Sequence, residues 1–370
     1  MTTAETDGLV VSGFCHVFYA LDIGFSVDLK CCASLIQEAH ERCGFRHDTR
    51  MPAYLNLRPA PVHISQAMEP IRGSSFLTEN SVMLTIYDFG AVSVEYRVPF
   101  AGTLEQIAVL SNELYDKTPF AADARKRAES LLATIGPAVR RANVREETED
   151  YLVFAVPSLG TDGCDLDAFL TDNGQVLAQL LSSNTQALSG QQRREELSRR
   201  IAYYDDDLTI ITWNAALVFG TDMADVLTVL ELANVQLREL HYLDDQLDDS
   251  LRESYDIRGQ AKSVKASMRH IRELMLDGQA FSEAVTNAFK PFPDAFLARV
   301  YTLASQALGL EHFDRSIKDK LSLLNTLYTT LSDEADHERT VRLEWIVIIL
   351  ILIEIIMGLS QQLLPLFHHG

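Results

Sequence analysis

From Trp345 to Phe367 the chain carries its longest apolar run, 23 residues that include Ile346-Val-Ile-Ile-Leu-Ile-Leu-Ile353, against the ~20 needed to cross a bilayer core. No other segment is both as apolar and as long, so this run constrains the fold more than any other feature. Glu354 sits inside it, and Ser360-Gln361-Gln362 and Pro365 interrupt its second half. Arg339 and Arg342 precede it, which by the positive-inside tendency places the bulk of the chain in the cytoplasm and the tail in or across the membrane. The expected anchor residues are therefore Trp345, Glu354 and Gly358. A carboxyl in hydrocarbon is costly, so Glu354 must be protonated or face a partner helix. The competing reading is a buried terminal helix of a helical oligomer.

The formal charge is −20, far from the basic profile of a phosphate-gripping protein, so direct nucleic-acid binding is not expected. The basic clusters at Arg125-Lys126-Arg127, Arg140-Arg141 and Arg193-Arg194 each adjoin acidic residues and read as solvated helix faces. No basic start followed by an apolar core opens the chain, so a cleaved presequence is not visible. Five cysteines without Cys-x-x-Cys spacing fit reduced thiols.

Hydrophobic periodicity divides the chain into an α+β half and a helical half. Gly13–Asp22 reads as a buried strand, Asp28–Arg42 as a helix, and Val82–Pro99 as a hairpin turning near Asp88-Phe89-Gly90. Thr103 then caps a helix with Leu104, Ile107, Leu110 and Leu114 on one face. Residues 146–220 echo this order: Leu208-Thr-Ile repeats Leu84-Thr85-Ile86, and Gly220-Thr221 repeats Gly102-Thr103. The expectation is an N-terminal α+β module over 1–145 and a second over 146–220, sandwiches similar in outline to duplicated ferredoxin-like units. A heptad region follows over 221–311, where Val226, Leu230, Ala233, Leu237, Leu240, Asp244, Leu247 and Leu251 step by four and three. A stalk over 312–344 carries the stripe Ile317, Leu324, Leu331 and runs without a breaker into the anchor over 345–367. Continuous from His312 to Leu364, that helix extends ~80 Å at 1.5 Å per residue. These long helices are expected to pack as antiparallel coiled-coil-like pairs, and the final stripe needs an apolar partner, which points to a homo-oligomer, with the Val226–Leu251 helix of the same chain able to satisfy part of it.

Chemistry has one candidate. His241, Asp244, Asp245 and Asp248 fall along one side of a helix and offer oxygen and imidazole ligands to a divalent cation. The alternative is a solvated acidic face with Asp244 fixing helix register. Asp333-Glu-Ala-Asp-His-Glu338 lacks the order of a zinc hydrolase, and no phosphate loop, dinucleotide fingerprint or nucleophile elbow is present. No catalytic residue and no cofactor is assigned.

The motif Arg342-Leu-Glu-Trp-Ile-Val-Ile-Ile-Leu-Ile-Leu-Ile-Glu354 resembles the terminus of the "required for meiotic nuclear division" proteins, a YagE-like family of uncharacterised domains. The hairpin Leu84–Tyr96 and the turn Pro293-Asp294-x-Phe296 are similar to that family's as well, whereas Asp205–Phe219 departs from its pattern. The resemblance implies a membrane-associated, helix-rich, self-associating protein without known catalytic residues. Mitochondrial members of that family support organellar translation and tether ribosomes to the inner membrane. The expected function is thus a non-enzymatic, membrane-anchored scaffold or tether whose partners are lipid, its own copies and a further protein. Two alternatives stay open: an ion channel or transporter subunit laid out like the cobalt/magnesium transporters, and an unrecognised soluble enzyme.

Overall fold

A computed structural model describes residues 10–43, 46–47, 59–116, 119–157, 166–220, 223–256, 294–363 and scattered positions between 269 and 279. The fold is α+β. It opens with strand β1 (Val10–Asp22), the short β2 (Ser26–Val27), helix α1 (Leu29–Cys43), β3 (Arg46–His47), β4 (Val62–Ala67), β5 (Ser81–Ile86) and β6 (Ala91–Thr103). Helices α2 (Leu104–Asp116) and α3 (Phe120–Ile135), β7 (Val139–Arg140), β8 (Glu149–Val156), α4 (Leu166–Leu181) and α5 (Gly190–Glu196) follow. Then come β9 (Arg200–Ile201), β10 (Leu208–Ile211), β11 (Ala215–Phe219) and the long α6 (Ala224–Asp256), α7 (Ala295–Ala307) and α8 (Leu310–Leu363).

Among the described residues one sheet of nine strands runs in the order β3-β4-β5-β6-β1-β8-β11-β10-β9, antiparallel except for the β8–β11 pair. This corrects the expectation of two separate sandwiches. β8 pairs with β1 on one side and β11 on the other, so the second set of strands extends the first sheet instead of closing its own. The echo in the sequence nonetheless falls on equivalent strands, since Leu84-Thr85-Ile86 lies in β5 and Leu208-Thr209-Ile210 in β10, each the first arm of a hairpin leading to a helix. The pairing differs, because β6 lies antiparallel to β1 but β11 lies parallel to β8.

β1 is buried on both faces, which is why it reads as a continuous apolar run rather than an alternating one. Its residues Val11, Cys15, Val17, Tyr19 and Leu21 face the main core with Val92, Val94, Tyr96 and Val98 of β6. Covering that face, α3 contributes Phe120, Ala124, Ala128, Leu131 and Ile135 at helical spacing. The Tyr96 hydroxyl donates to Asp123 Oδ2 at 2.7 Å, and Arg127 joins Asp123 at 2.6 Å and Gln66 at 2.9 Å, fastening α3 to the sheet. α2 begins in a reciprocal cap in which the Thr103 N–H donates to Gln106 Oε1 and the Gln106 N–H to Thr103 Oγ1. A Cβ at Gly13 would stand 2.0 Å from the Ala155 carbonyl oxygen, so the close approach of β8 to β1 requires glycine there.

By compactness the chain divides into Met1–Leu243 with Phe281–Arg315, and Asp244–Ala280 with Ser316–Gly370. In the first unit α6 lies across the opposite face of the sheet, where Leu232 and Val235 pack on Ala20, Tyr87, Phe89 and Ala91. Every residue from 229 to 240 is buried, so this helix is enclosed all round rather than along one heptad seam. In the second unit Leu247, Ile317 and Leu324 are buried. Leu331 and Gly358 belong to α8 but lie outside the residues whose surroundings are described. In the sequence the heptad pattern resumes after Gly259 with Val264 and Met268, which also fall outside the described residues.

Candidate functional site

The acidic residues of α6 separate by what they bind. In the second unit Lys320 of α8 places its Nζ 2.8 Å from Asp244 Oδ1 and 2.6 Å from Asp248 Oδ1, while Ser316 Oγ donates to Asp244 at 2.9 Å. A spacing of four aims both carboxylates at one point, and the cation at that point is an ammonium. Burial pulls the Lys320 pKa down, and the hydrogen bonds and charges of Asp244 and Asp248 more than offset it, leaving it above the ordinary lysine range. Asp245 is exposed, and Asp249 pairs with Arg252 at 3.0 Å. In the first unit His241 turns to Glu149 through Nδ1 and lays its ring edge-on to Phe313, centroids 4.3 Å apart. No group of three or more His, Cys, Asp or Glu among the described residues is arranged to hold a metal ion. The sequence cluster is thus divided: Asp244 and Asp248 hold Lys320, His241 holds Glu149, and Asp245 is exposed.

The terminal run presents a different surface. From Leu343 to Ile355 eleven apolar side chains are between 48% and 62% exposed. Because Trp345–Ile353 are consecutive, this surface goes all the way round the helix. Glu354 is exposed and makes no hydrogen bond or ion pair among the described residues. Among the described residues no helix is long and apolar enough to cross a membrane; in the sequence the apolar run continues beyond Ile355 to Phe367.

Sequence reasoning missed a third feature, the charged groups that α6 buries against the sheet. Asp22, at the end of β1, accepts the Gly24 N–H at 2.8 Å and lies 3.6 Å from Arg145 Nε. Burial pushes its carboxyl up to about 6 against the pull of Gly24, Arg145 and Arg238. Glu239 is driven well above the carboxylate range by burial and by the Asp22 charge, with Arg238 and Arg145 opposing. Arg145 stacks over Tyr242 at 4.4 Å and donates to its hydroxyl, and Arg238 reaches Glu147 at 3.4 Å. Two turns earlier on the helix, Glu231 sits above Thr85 and Ser93, beside Glu95, which lies 2.6 Å from His16 Nδ1. The available signal was the stripe Glu231, Asn234, Arg238 at helical spacing within an otherwise apolar segment.

Comparison with known proteins places this sheet in context. Residues 12–225 match the family described as "Uncharacterized protein MJ0711, N-terminal domain", a span running from β1 through β11 to the first residues of α6. The chain is 20% identical over 229 residues to the uncharacterized protein MJ0711 of Methanocaldococcus jannaschii, covering 60% of this chain and 70% of that protein. No solved structure matches. Nothing in these matches indicates an enzymatic activity. The terminal motif Arg342-Leu-Glu-Trp-Ile346 and the helices α7 and α8 lie outside the matched residues. Since the match takes in more than half of the chain, the protein belongs to the family of the uncharacterized protein MJ0711, N-terminal domain.

Proposed function

We propose that this protein is a non-enzymatic scaffold or tether that attaches to a membrane through its C-terminal apolar helix and self-associates along that helix, since Ile317 and Leu324 of the α8 stripe are already buried within one chain. One observation carries the reading: the exposed aliphatic surface of Leu343–Ile355 encircles the helix. A coiled-coil partner covers a seam and leaves the remaining faces in water, whereas lipid covers every face at once. With about half of each of eleven side chains uncovered, full coverage contributes on the order of 10 kcal/mol, at ~1 kcal/mol per half-buried side chain. Exposed apolar surface of this extent marks an interaction site. The flanking Arg339 and Arg342 favour a cytoplasmic sheet domain. We further propose that the sheet joins two strand–helix–hairpin–helix units, similar in outline to ferredoxin-like modules, and that coiled-coil-like helices and the apolar anchor follow them. The resemblance of the terminal motif to the "required for meiotic nuclear division" proteins supports the same function.

The test is flotation of the full chain on a sucrose gradient with lipid vesicles, after a high-salt wash, beside a chain ending at Arg339. The full chain is expected to float and the shorter chain to stay at the bottom. Flotation of both, or of neither, overturns the anchor. A full chain that stays at the bottom as a larger oligomer returns the surface to a protein partner.

A further inference from the structure

On the α6 side of the sheet the cross-strand pair Thr85–Ser93 and, two residues along β6, Glu95 form a polar floor beneath an otherwise buried helix. Glu231 descends onto this floor and is 7% exposed. Its Oε1 makes no hydrogen bond, nor does Ser93 Oγ, which is fully buried. A buried carboxylate oxygen without a donor is costly when charged and far less so when the group is neutral. Among the described residues no cation offsets the charge. Of the groups facing Glu231 from the sheet, Glu95 on β6 carries like charge and is itself engaged by His16 on β1. Arg97, next along that face of β6, lies over the Phe14 ring at 4.5 Å and pairs with Glu79 at 3.4 Å. Tyr87, in the β5–β6 turn, is buried with its hydroxyl pushed well up by burial and by Glu231 itself. His63 on β4 contacts Thr85 at 3.2 Å. On the far side of α6, Tyr301 of α7 donates to Gln236 at 2.7 Å.

We propose that Glu231, seated beside the Glu95–His16 pair, is a buried proton-binding site whose neutral form holds α6 against the sheet and whose ionised form loosens it. Protonation gives Glu231 an O–H of its own to donate, with Glu95, Ser93 and Thr85 all able to accept it. Burial and the Glu95 charge push the Glu231 carboxyl up to about 7, with Ser93 and Thr85 drawing it back in part. The sign follows from linkage. A raised carboxyl pKa gives stability that is complete below the unfolded value of 4.5 and is lost as pH rises through about 7. Helix α6 would therefore respond to proton concentration near neutrality.

Hydrogen exchange of the amides of 229–240 in the full chain, corrected for the intrinsic pH dependence of exchange, reads this directly. Between pH 6 and pH 8 protection in the wild type is expected to fall about tenfold, the loss that titration near 7 against 4.5 produces. Glu231→Gln, a neutral isostere, is expected to hold protection constant over the same interval. Glu95→Gln removes the neighbouring charge and is expected to move the transition to lower pH, because it lowers the cost of ionising Glu231. Equal pH dependence in the wild type and Glu231→Gln overturns the proposal. Should Glu231→Gln fail to fold, a transition unmoved by Glu95→Gln overturns it equally.

Discussion

Replacing Lys320 by Met tests whether the α6 carboxylates form a cation site or a closed ion-pair set. Methionine keeps most of the apolar stem and deletes the ammonium that stands 2.8 Å and 2.6 Å from Asp244 and Asp248. An exposed ion pair contributes 0–1 kcal/mol, and breaking a fully buried one costs ~3–5 kcal/mol. The side chains here are 18%, 19% and 41% exposed, so the site falls between those limits and Asp248 is the weaker arm. The expected loss is ~2 kcal/mol, most of it from two half-buried carboxylates left facing each other without a cation. The assay is native-state hydrogen exchange of the amides of 244–252 and 316–324. With the ammonium gone the carboxylates become free to hold a divalent ion. At 10 mM calcium and a Kd of ~1 mM, Lys320→Met should regain ~1.4 kcal/mol. The wild type should regain nothing. A loss below ~0.5 kcal/mol in Lys320→Met, or equal calcium stabilisation of both proteins, refutes the reasoning, since either means that the lysine does not occupy the position a metal would take.

Other perturbations test the sheet and the terminal helix. Gly13→Ala places a methyl 2.0 Å from a backbone carbonyl that cannot swing away, and should cost ~2–3 kcal/mol, seen as a lower urea midpoint for the sheet domain; an unchanged midpoint contradicts the close β1–β8 approach. Glu354→Leu should raise the fraction of protein that floats with vesicles and reduce detergent-resistant cross-linking between copies, because the carboxyl costs ~2.5–3.5 kcal/mol in hydrocarbon unless a partner receives it. Glu354→Gln should preserve the cross-links, and equal cross-linking of Glu354→Leu and wild type would assign Glu354 to the membrane interface.

Local chemistry was readable in the sequence where a single element carried its own signal. The Thr103–Gln106 cap, the face of α2 and the unbroken period of α8 depend on residues three or four apart, and the helices stand where that spacing puts them. The joining of β8 to β1 depends on pairs such as His16 with Val153, more than a hundred residues apart, for which alternating apolar residues carry no register. The hairpin inside Leu208–Phe219 was readable through its echo of Leu84-Thr85-Ile86, but the parallel pairing of its second arm with β8 was not.

The charged residues of α6 mark the sharper boundary between what a sequence states and what a fold decides. Glu231 and Asp248 are both carboxylates on the same helix, and spacing alone does not tell their surroundings apart. Their surroundings come from elsewhere: β6 brings Glu95 and Ser93 beneath the first, α8 brings Lys320 beside the second. Opposite charge at hydrogen-bond distance satisfies Asp248 in its ionised form, whereas burial and like charge favour the neutral form of Glu231. Glu239 is the intermediate case, with Arg238 and Arg145 opposing the Asp22 charge without overcoming burial. The same residue type on one helix is therefore a structural anion at one position and a proton acceptor near neutrality at another. That difference makes the buried face of α6, rather than the acidic cluster that stands out in the sequence, the part of this fold able to respond to its surroundings.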